Sequence, residues 1–266
     1  YISKPLAWKS TWLTKNLIEF KVGRRILIEG NVLENSPVAA QPGWAFVLWS
    51  ATAQVGCSWC ITEDVTIRNN LIRNVAGGFS LTKSYDATSQ GMQTVTIRNN
   101  VIIGLDNPAV GSNGRIFQIT GDIPNITIEH NTGFSPTNAS LMWDATALSN
   151  HIVRDNVLGG GDYQLFAAGV GLGVAAWNKV GGPGSILTNN VIALAPEGSY
   201  PASNFYPKKL DGIGLVGGDH AAYATNAALN DLGLLPSSPY KGKAGDGRDP
   251  GADISLLSSA IAGVIP

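Results

Sequence analysis

Four polar residues in the middle of the chain carry groups that could act on a sugar acid or a sugar ester: Lys83, Arg115, Gln118 and Asp144. An elimination beside a carboxylate needs a base, such as Lys83 or Lys21, and a cation such as Arg115 to stabilise the enolate. Ester hydrolysis would instead pair Asp144 with Gln118 as the donor to the oxyanion. The alternative is that these side chains are simply solvated residues on the outer face of a strand.

Another set of residues suits the binding of a polysaccharide: Glu19, Lys21, Trp8, Trp49 and Trp59. Most of the tryptophans fall in the first quarter of the chain, where lysines are interleaved with them. Indole faces beside cations are typical of sites for acidic sugars. The alternative is that these indoles pack loops onto the body of the fold.

Neither the cysteines nor the acidic residues near the C-terminal end match a common metal-binding pattern. Cys57 and Cys60 are the two cysteines of the chain; a zinc site would need two more ligands, and a thioredoxin-like motif would need a strand-to-helix context. We therefore expect a disulfide that closes a loop, with free thiols as the alternative. Asp246, Asp249 and Asp253 depart from the EF-hand pattern and predict turns, with calcium as the alternative and no other cofactor expected.

A short repeated phrase predicts the framework that must position these side chains. It occupies residues 26–33, 65–72, 95–102, 126–131, 151–158 and 185–192, and its final Asn recurs at intervals of 39, 30, 31, 25 and 34 residues. Its apolar residues alternate as in a half-buried strand, and a fixed phrase with variable spacing is typical of a solenoid. We expect the recurring Asn to stack in a ladder of side-chain hydrogen bonds.

A third apolar stretch recurs with the repeated phrase, at residues 17–20, 46–49, 79–81, 116–119, 141–143 and 163–166. Three strands per turn, stacked at about 4.8 Å, predict an all-β fold, a right-handed parallel β-helix of about six coils with a loop-rich C-terminal cap. A β-sandwich with coincidental Asn-Asn turns is the alternative. The outward side chains of the third strands then share one face: Glu19, Lys21, Trp49, Gln118 and Asp144, with Lys83 and Arg115 at its edge.

Long inserts at residues 50–63, 83–94, 106–114 and 169–184 border that face and would flank a groove. The chain begins at Tyr1 with no Met and no helix to cover an open coil, so we expect further coils upstream. The loss of periodicity after Ala195 predicts a β-helix over residues 1–195 and a capping segment over 196–266.

The composition excludes some partners. The net charge is −1 and charged residues make up 14% of the chain, which gives no general attraction to nucleic acid or to a membrane surface. No apolar run approaches the roughly 20 residues that span a bilayer.

The ending from Ser238 to Asp253, with Ser-Pro-Tyr and then Asp-Gly-Arg-Asp-Pro-Gly-Ala-Asp, resembles the ending of many secreted bacterial right-handed β-helix proteins. The opening, at residues 4–9, 15–21 and 25–31, is similar to a set of such proteins from soil bacteria. Together they resemble the pectate-lyase-like superfamily over nearly the whole chain. The resemblance implies the β-helix fold and a secreted or periplasmic location. The superfamily includes lyases, hydrolases, esterases, epimerases and inert structural proteins, so it implies no single activity.

Departures from that superfamily narrow the chemistry. The Asn-Thr-Asp strand, Asp-Asp pair and Gly-His-Gly turn typical of polygalacturonases do not occur in the sequence, nor do an acidic calcium cluster and an Arg-Pro pair typical of pectate lyases. A glycosidase needs two carboxylates about 5 to 10 Å apart, whereas Glu19 and Asp144 would lie about 19 Å apart at four coil spacings.

The function predicted from these observations is that of an extracytoplasmic protein acting on a polysaccharide, as a lyase or a glycoside hydrolase. A non-catalytic carbohydrate-binding or surface-structural solenoid is the first alternative, and a carbohydrate esterase is the second. Charged groups that converge in a groove with shifted pKa values would favour an enzyme. A flat face covered by loops and bearing scattered tryptophans would favour binding.

Overall fold

The computed structural model describes residues 1–51, 57–84, 87–105, 109–111, 114–135, 137–195 and 198–264. The strands of these ranges are, in chain order, β1 (Ile2–Ser3), β2 (Ile18–Phe20), β3 (Gly23–Glu29), β4 (Val32–Ser36), β5 (Trp44–Leu48), β6 (Ile61–Arg68), β7 (Leu71–Val75), β8 (Gly77–Thr82), β9 (Gly91–Arg98), β10 (Val101–Ile103), β11 (Phe117–Thr120), β12 (Ile126–Glu129), β13 (Thr132–Phe134), β14 (Ala139–Asp144), β15 (Ile152–Arg154), β16 (Val157–Gly159), β17 (Tyr163–Ala167), β18 (Gly171–Leu172), β19 (Ile186–Thr188) and β20 (Val191–Ala193). The α-helices are α1 (Gly173–Val180), α2 (Gly218–Tyr223) and α3 (Ile254–Ala260), and short 3-10 helices cover Leu6–Ser10, Leu210–Ile213 and Leu229–Leu232.

These strands form three sheets. Sheet 1 has the order β1-β4-β7-β10-β13-β16-β20, sheet 2 has the order β18-β17-β14-β11-β8-β5-β2, and sheet 3 has the order β19-β15-β12-β9-β6-β3. From β2 onward the chain visits sheet 2, sheet 3 and sheet 1 in turn, and it repeats this cycle. The paired strands are parallel, apart from the antiparallel pair of β17 with β18. The protein is thus mostly β, with three parallel-dominated sheets and few helices, an arrangement compatible with a β-helix solenoid.

The repeated phrase forms the strands of sheet 3, and the residues after its Asn form those of sheet 1. The register is the one that the phrase predicts, since Ile26 pairs with Val65, Val65 with Val95, and Val95 with Ile126. The side chains of Val65, Val95 and Ile126 are buried, as alternation requires. The three sheets therefore surround a shared apolar interior, in which the rings of Phe46, Phe79 and Phe117 stack at 4.9 and 5.3 Å. This close stacking repeats the strand spacing of sheet 2.

The predicted asparagine ladder is confirmed. Each side-chain amide donates to the side-chain oxygen of the next Asn at distances between 2.8 and 3.1 Å, through the series Asn31, Asn70, Asn100, Asn131, Asn156, Asn190 and Asn204. The last member, Asn204, belongs to no copy of the phrase. The four central members, Asn70 to Asn156, are fully buried, so the ladder satisfies polar groups that water cannot reach.

The residue before each ladder Asn turns the chain at the corner. It has a left-handed backbone in every copy, with φ of 55° at Asn69, 51° at Asn99, 50° at His130 and 58° at Asp155. Asn and Asp tolerate this region better than most residues, which explains why they recur there. The corner is therefore encoded by both residues of the Asn-Asn pair, one for backbone conformation and one for the ladder.

Residues 198–264, called here the C-terminal segment, lie along the outer face of sheet 1. The apolar side chains of both form one buried cluster, with Val32, Leu71, Val101, Val157 and Val191 from the sheet and Leu210, Ile213, Leu232 and Leu257 from the segment. Hydrogen bonds fix the segment to successive corners, from Gly251 N to Asp155 O at 2.7 Å and from Asp253 N to Asn99 Oδ1 at 2.6 Å. The segment thus covers the side of several turns.

The insert at residues 169–184, which the sequence leaves without an assigned structure, contains α1. Its buried residues are Gly173, Ala176 and Val180, which lie on one helical face. The ring of Trp177 lies 6.1 Å from that of Trp143, the largest fully buried side chain of the interior. The helix therefore completes the apolar core beside the last turns.

Gly161 precedes β17, at a position where successive repeats pack closely. Its φ is +84°, and a Cβ there would overlap the carbonyl oxygen of Asn138. We expect Gly161→Ala to lower the free energy of unfolding by roughly 2 to 4 kcal/mol, because backbone strain and overlap add. The measurement is urea denaturation against Gly171→Ala, since Gly171 has a φ of +95° and nothing within 4 Å of a Cβ. Equal losses for both variants would contradict the overlap.

Within the described ranges, no helix is long and apolar enough to cross a membrane.

Candidate functional site

The outward residues of sheet 2 form one continuous row. Strand register aligns them in the order Glu19, Val47, Ser80, Gln118, Met142 and Phe166. A second row beside it aligns Thr82, Thr120 and Asp144. We call these two rows, with Lys21 and Trp49 at one end, the strand face. Neighbouring strands are about 4.8 Å apart, so the longer row spans about 24 Å.

Lys21, Glu19 and Trp49 form a compact group at the β2 end of the strand face. Lys21 Nζ lies 3.6 Å from Glu19 Oε1 and 5.1 Å from the centre of the Trp49 ring. The three residues are half-buried. The structure therefore brings together three of the five residues predicted to bind a ligand, with the cation held between a carboxylate and an indole.

Arg115 and Gln118 meet in the middle of the strand face. Arg115 Nη1 donates a short hydrogen bond to Gln118 Oε1, and Gln118 Nε2 lies 3.4 Å from Thr120 Oγ1. Burial lowers the pKa of Arg115, which still leaves the guanidinium charged at neutral pH. The amide of Gln118 is thereby oriented along the strand toward Thr120, the residue that pairs with Asp144.

Lys83 and Asp144 lie at the other end of the same strands. Lys83 follows β8, where its N–H bonds Thr120 O at 2.9 Å, and Asp144 is the exposed last residue of β14. The charge of Lys83 also acts on Asp122, a neighbour that the sequence does not single out. Arg115 aligns with the start of β8, so about six residues, or about 20 Å of strand, separate its backbone from that of Lys83. The four candidate catalytic residues thus form two separate pairs.

Asp122 is held as a carboxylate. Burial by itself raises the pKa of Asp122, but hydrogen bonds from Thr146 and Ala147 and the charge of Lys83 outweigh it and lower the pKa. Its Oδ1 accepts from Thr146 N at 2.7 Å and from Ala147 N at 3.1 Å. These bonds tie the loop after β14 to the one after β11, which is a structural role.

Trp8 and Trp59 lie outside the two rows. Trp8 belongs to the 3-10 helix Leu6–Ser10 and Trp59 to the turn before β6, and both indoles are exposed. Cys57 and Cys60 close this turn with a disulfide. The turn thus presents Trp59 to solvent from a rigid loop.

Parts of three bordering inserts, residues 52–56, 85–86, 106–108 and 112–113, lie outside the described residues. The described part nevertheless shows that the face is partly covered, since Ser80 and Thr82 point outward from β8 and are buried. The centre of the strand face is therefore sheltered, while its ends at Lys21 and Asp144 are more accessible.

A groove that the sequence does not predict lies on the other side of the molecule. Charged side chains that precede the corners line up on adjacent strands of sheet 3, in the order Glu29, Arg68, Arg98, Glu129 and Arg154. Between this charged row and residues 232–256 of the C-terminal segment is a groove of about 820 Å³. The charged residue near the end of most copies of the phrase can be seen in the sequence. The second wall of the groove cannot, because residues 232–256 lie far along the chain from this row.

The carboxyls around this charged groove are held ionised. The hydrogen bond from Arg68 is the main cause that lowers the pKa of Glu29. A backbone hydrogen bond from Leu256 is the main cause that lowers the pKa of Asp253, which caps α3. Ionised carboxylates of this kind are partners for cations and do not serve as general acids.

The acidic ending forms turns. Asp246 Oδ1 accepts from Arg248 N at 3.0 Å, Asp249 Oδ1 accepts from Gly242 N at 2.9 Å, and Asp253 Oδ1 accepts from Leu256 N at 3.0 Å. In the part of the chain that the structure describes, no group of three or more His, Cys, Asp or Glu side chains is placed to hold a metal ion. All three carboxylates thus accept backbone hydrogen bonds in local turns, as the sequence predicts.

The protein is mostly β, with parallel sheets, and one sheet bears the strand face of polar and apolar side chains. No family model matches the chain, and no curated protein matches it.

Proposed function

We propose that the three sheets are the faces of a right-handed parallel β-helix of about six coils, and that the strand face binds an extended acidic polysaccharide without cleaving it. The observation that carries the proposal is the row of outward side chains from Glu19 to Phe166, one per strand, which are half-buried except for the buried Ser80. A row with a fixed repeat fits a polymer better than it fits a compact ligand. Beside that row, the cations Lys21 and Arg115 join the amide of Gln118 and the indole of Trp49. This mixture suits hydroxyl and carboxylate groups on sugars.

The placement of charge supports binding over catalysis. Glu19 and Asp144 lie four strands apart in sheet 2, about 19 Å, beyond the separation that glycosidases use. Lys83 and Arg115, the base and the cation of a lyase, are at opposite ends of their strands. Among the described residues, the carboxyls with clearly shifted pKa values are Glu29, Asp122, Asp246 and Asp253, and each is lowered. The lyase, hydrolase and esterase hypotheses stay predictions.

The cations of the strand face support an acidic ligand. Lys21 and Lys83 directly follow β2 and β8 at one edge of the strand face, and Arg115 lies at the opposite edge. A polymer with regularly spaced carboxylates that crosses the strands along the first edge could contact both lysines. We further propose a location outside the cytoplasm, secreted or periplasmic, which is supported by the disulfide between Cys57 and Cys60.

The test is binding of polygalacturonate by the Lys21→Gln/Gln118→Ala variant, measured by isothermal titration calorimetry. We expect affinity to fall about tenfold, because a cation and an amide are lost and the freed Glu19 repels the polymer. The matched control is Lys208→Gln/Gln93→Ala, which makes the same chemical changes on the exposed C-terminal segment and on β9 of sheet 3. Equal affinity of the two double variants would place the ligand elsewhere.

A further inference from the structure

The charged groove contains an arginine, Arg98, that lies between Arg68 and Glu129 in strand register and whose charge acts on Glu29 without a direct ion pair. Arg98 is exposed, lines the groove, and forms no ion pair in the described ranges. We propose that Arg98 is the anchor of a second binding site, distinct from the strand face, for a sugar residue that bears a carboxylate.

The other charges of the groove are already paired. Arg68 Nη2 donates to Glu29 Oε2 at 2.9 Å, with Arg68 Nε 2.9 Å from Glu29 Oε1, and Arg154 bonds Glu129 at 2.7 and 2.9 Å. This pairing leaves Arg98 between the two ion pairs, with Arg68 on one side in strand register and Glu129, already bound to Arg154, on the other.

On the wall formed by the C-terminal segment, two cations are also paired, and one carboxylate is bound by neutral donors. Lys241 pairs with Asp249, Arg248 pairs with Asp246 at 2.8 Å, and Asp253 accepts from Leu256 N and from Ser255 Oγ. The guanidinium of Arg98 is consequently left to bind an external anion. Because a guanidinium presents parallel N–H donors, a planar carboxylate matches it with two hydrogen bonds.

The size and lining of the groove favour an organic anion over an inorganic one. A volume of about 820 Å³ greatly exceeds what a sulfate ion fills and lies in the usual range for small-molecule sites. Leu234 and Leu256 contribute apolar surface opposite the charged row. A uronic acid has both an apolar ring face and a carboxylate, so it suits the two walls.

The test is an NMR titration of the Arg98 side-chain Nε–Hε resonance with D-galacturonate, D-galactose and sodium sulfate. We expect saturable shifts with galacturonate, little response to galactose, and weaker binding of sulfate. Arg98→Gln should weaken galacturonate binding at least tenfold, read from backbone amides of the groove, and Arg98→Lys should fall between the two. Arg25→Gln, which removes an exposed cation outside the groove, is the matched control and should bind as the wild-type protein does.

Several results would overturn the site. The first is that the Arg98 resonance does not shift in the wild-type protein, and the second is that Arg98→Gln binds galacturonate with unchanged affinity. The third is equal binding of sulfate and galacturonate, which would indicate a site for any simple oxyanion. The Lys21→Gln/Gln118→Ala variant should keep the Arg98 response. Loss of polymer binding with a retained Arg98 response would therefore separate the two sites.

Discussion

Replacing Asn100 by alanine should remove roughly 3 to 5 kcal/mol from the free energy of unfolding. Asn100 is fully buried, and its Oδ1 accepts from Asn70 N at 3.1 Å and Asn70 Nδ2 at 2.9 Å. Its Nδ2 donates to Ile67 O, Arg98 O and Asn131 Oδ1, each at 3.0 Å. Alanine would leave the buried Asn70 N–H without its acceptor and would remove one hydrogen bond from each of the other partners. A buried donor without an acceptor costs more than the bond itself contributes.

The ladder supplies its own comparison. Asn31 begins the series, is only half-buried, and donates to Glu29 O and Asn70 Oδ1. Asn31→Ala should therefore cost clearly less than Asn100→Ala in urea denaturation. Asn226→Ala, at an exposed position of the C-terminal segment, should change stability by less than about 0.5 kcal/mol. A cost for Asn100→Ala as small as that of Asn31→Ala would contradict a cooperative buried ladder.

Acidification should destabilise the fold through His151 before most carboxylates titrate. His151 is fully buried, accepts a hydrogen bond from Trp143 Nε1 at 3.0 Å, and lies among the rings of Trp143 and Trp177. Burial lowers the pKa of His151 from its ordinary 6.5 to about 4. The neutral imidazole is thus the form that the folded protein holds.

The sign of the effect follows from proton linkage. Between pH 6.5 and about 4 the unfolded chain binds a proton that the folded chain does not, so stability falls as the pH falls through this window. The full contribution is present above pH 6.5, and the loss by about pH 4 is of the order of 3 kcal/mol. Urea denaturation at several pH values across the window measures it.

The control is His151→Val, which restores the residue type found at Val65 and Val95 in the same register. It should flatten the pH dependence across the window. It should also cost roughly 1 to 3 kcal/mol at neutral pH, because Trp143 Nε1 loses its acceptor. A variant whose stability still falls as steeply between about pH 6.5 and about pH 4 would show that other groups cause the loss.

The sequence predicts those parts of the fold that repeat. The alternation of apolar and polar residues in the phrase identifies the strands of sheets 3 and 1, because every copy packs its apolar side chains into the same core. The recurring Asn predicts the ladder up to Asn190 but misses Asn204, since that residue follows a loop with no phrase around it. Helix α1 is missed because its apolar face is short and is completed by contact with Trp143, which lies about thirty residues earlier.

The sites are less predictable than the strands, for a physical reason. Alternation correctly places Gln118 and Asp144 on one face, but it cannot show that Arg115 reaches Gln118 while Lys83 lies at the opposite edge. The charged groove needs two walls, and only the one that carries Arg98 is part of the repeat. Its other wall depends on the path of the C-terminal segment, which is set by burial against sheet 1.

We propose that the protein binds an acidic polysaccharide and leaves it intact. The most direct measurement is size-exclusion chromatography with light scattering on polygalacturonate incubated with the protein, alongside the polymer alone. We predict that the protein co-elutes with the polymer at low salt, that the mass distribution of the polymer is unchanged, and that no unsaturated sugar ends form. A protein that elutes alone, or a polymer that becomes shorter, would contradict the claim.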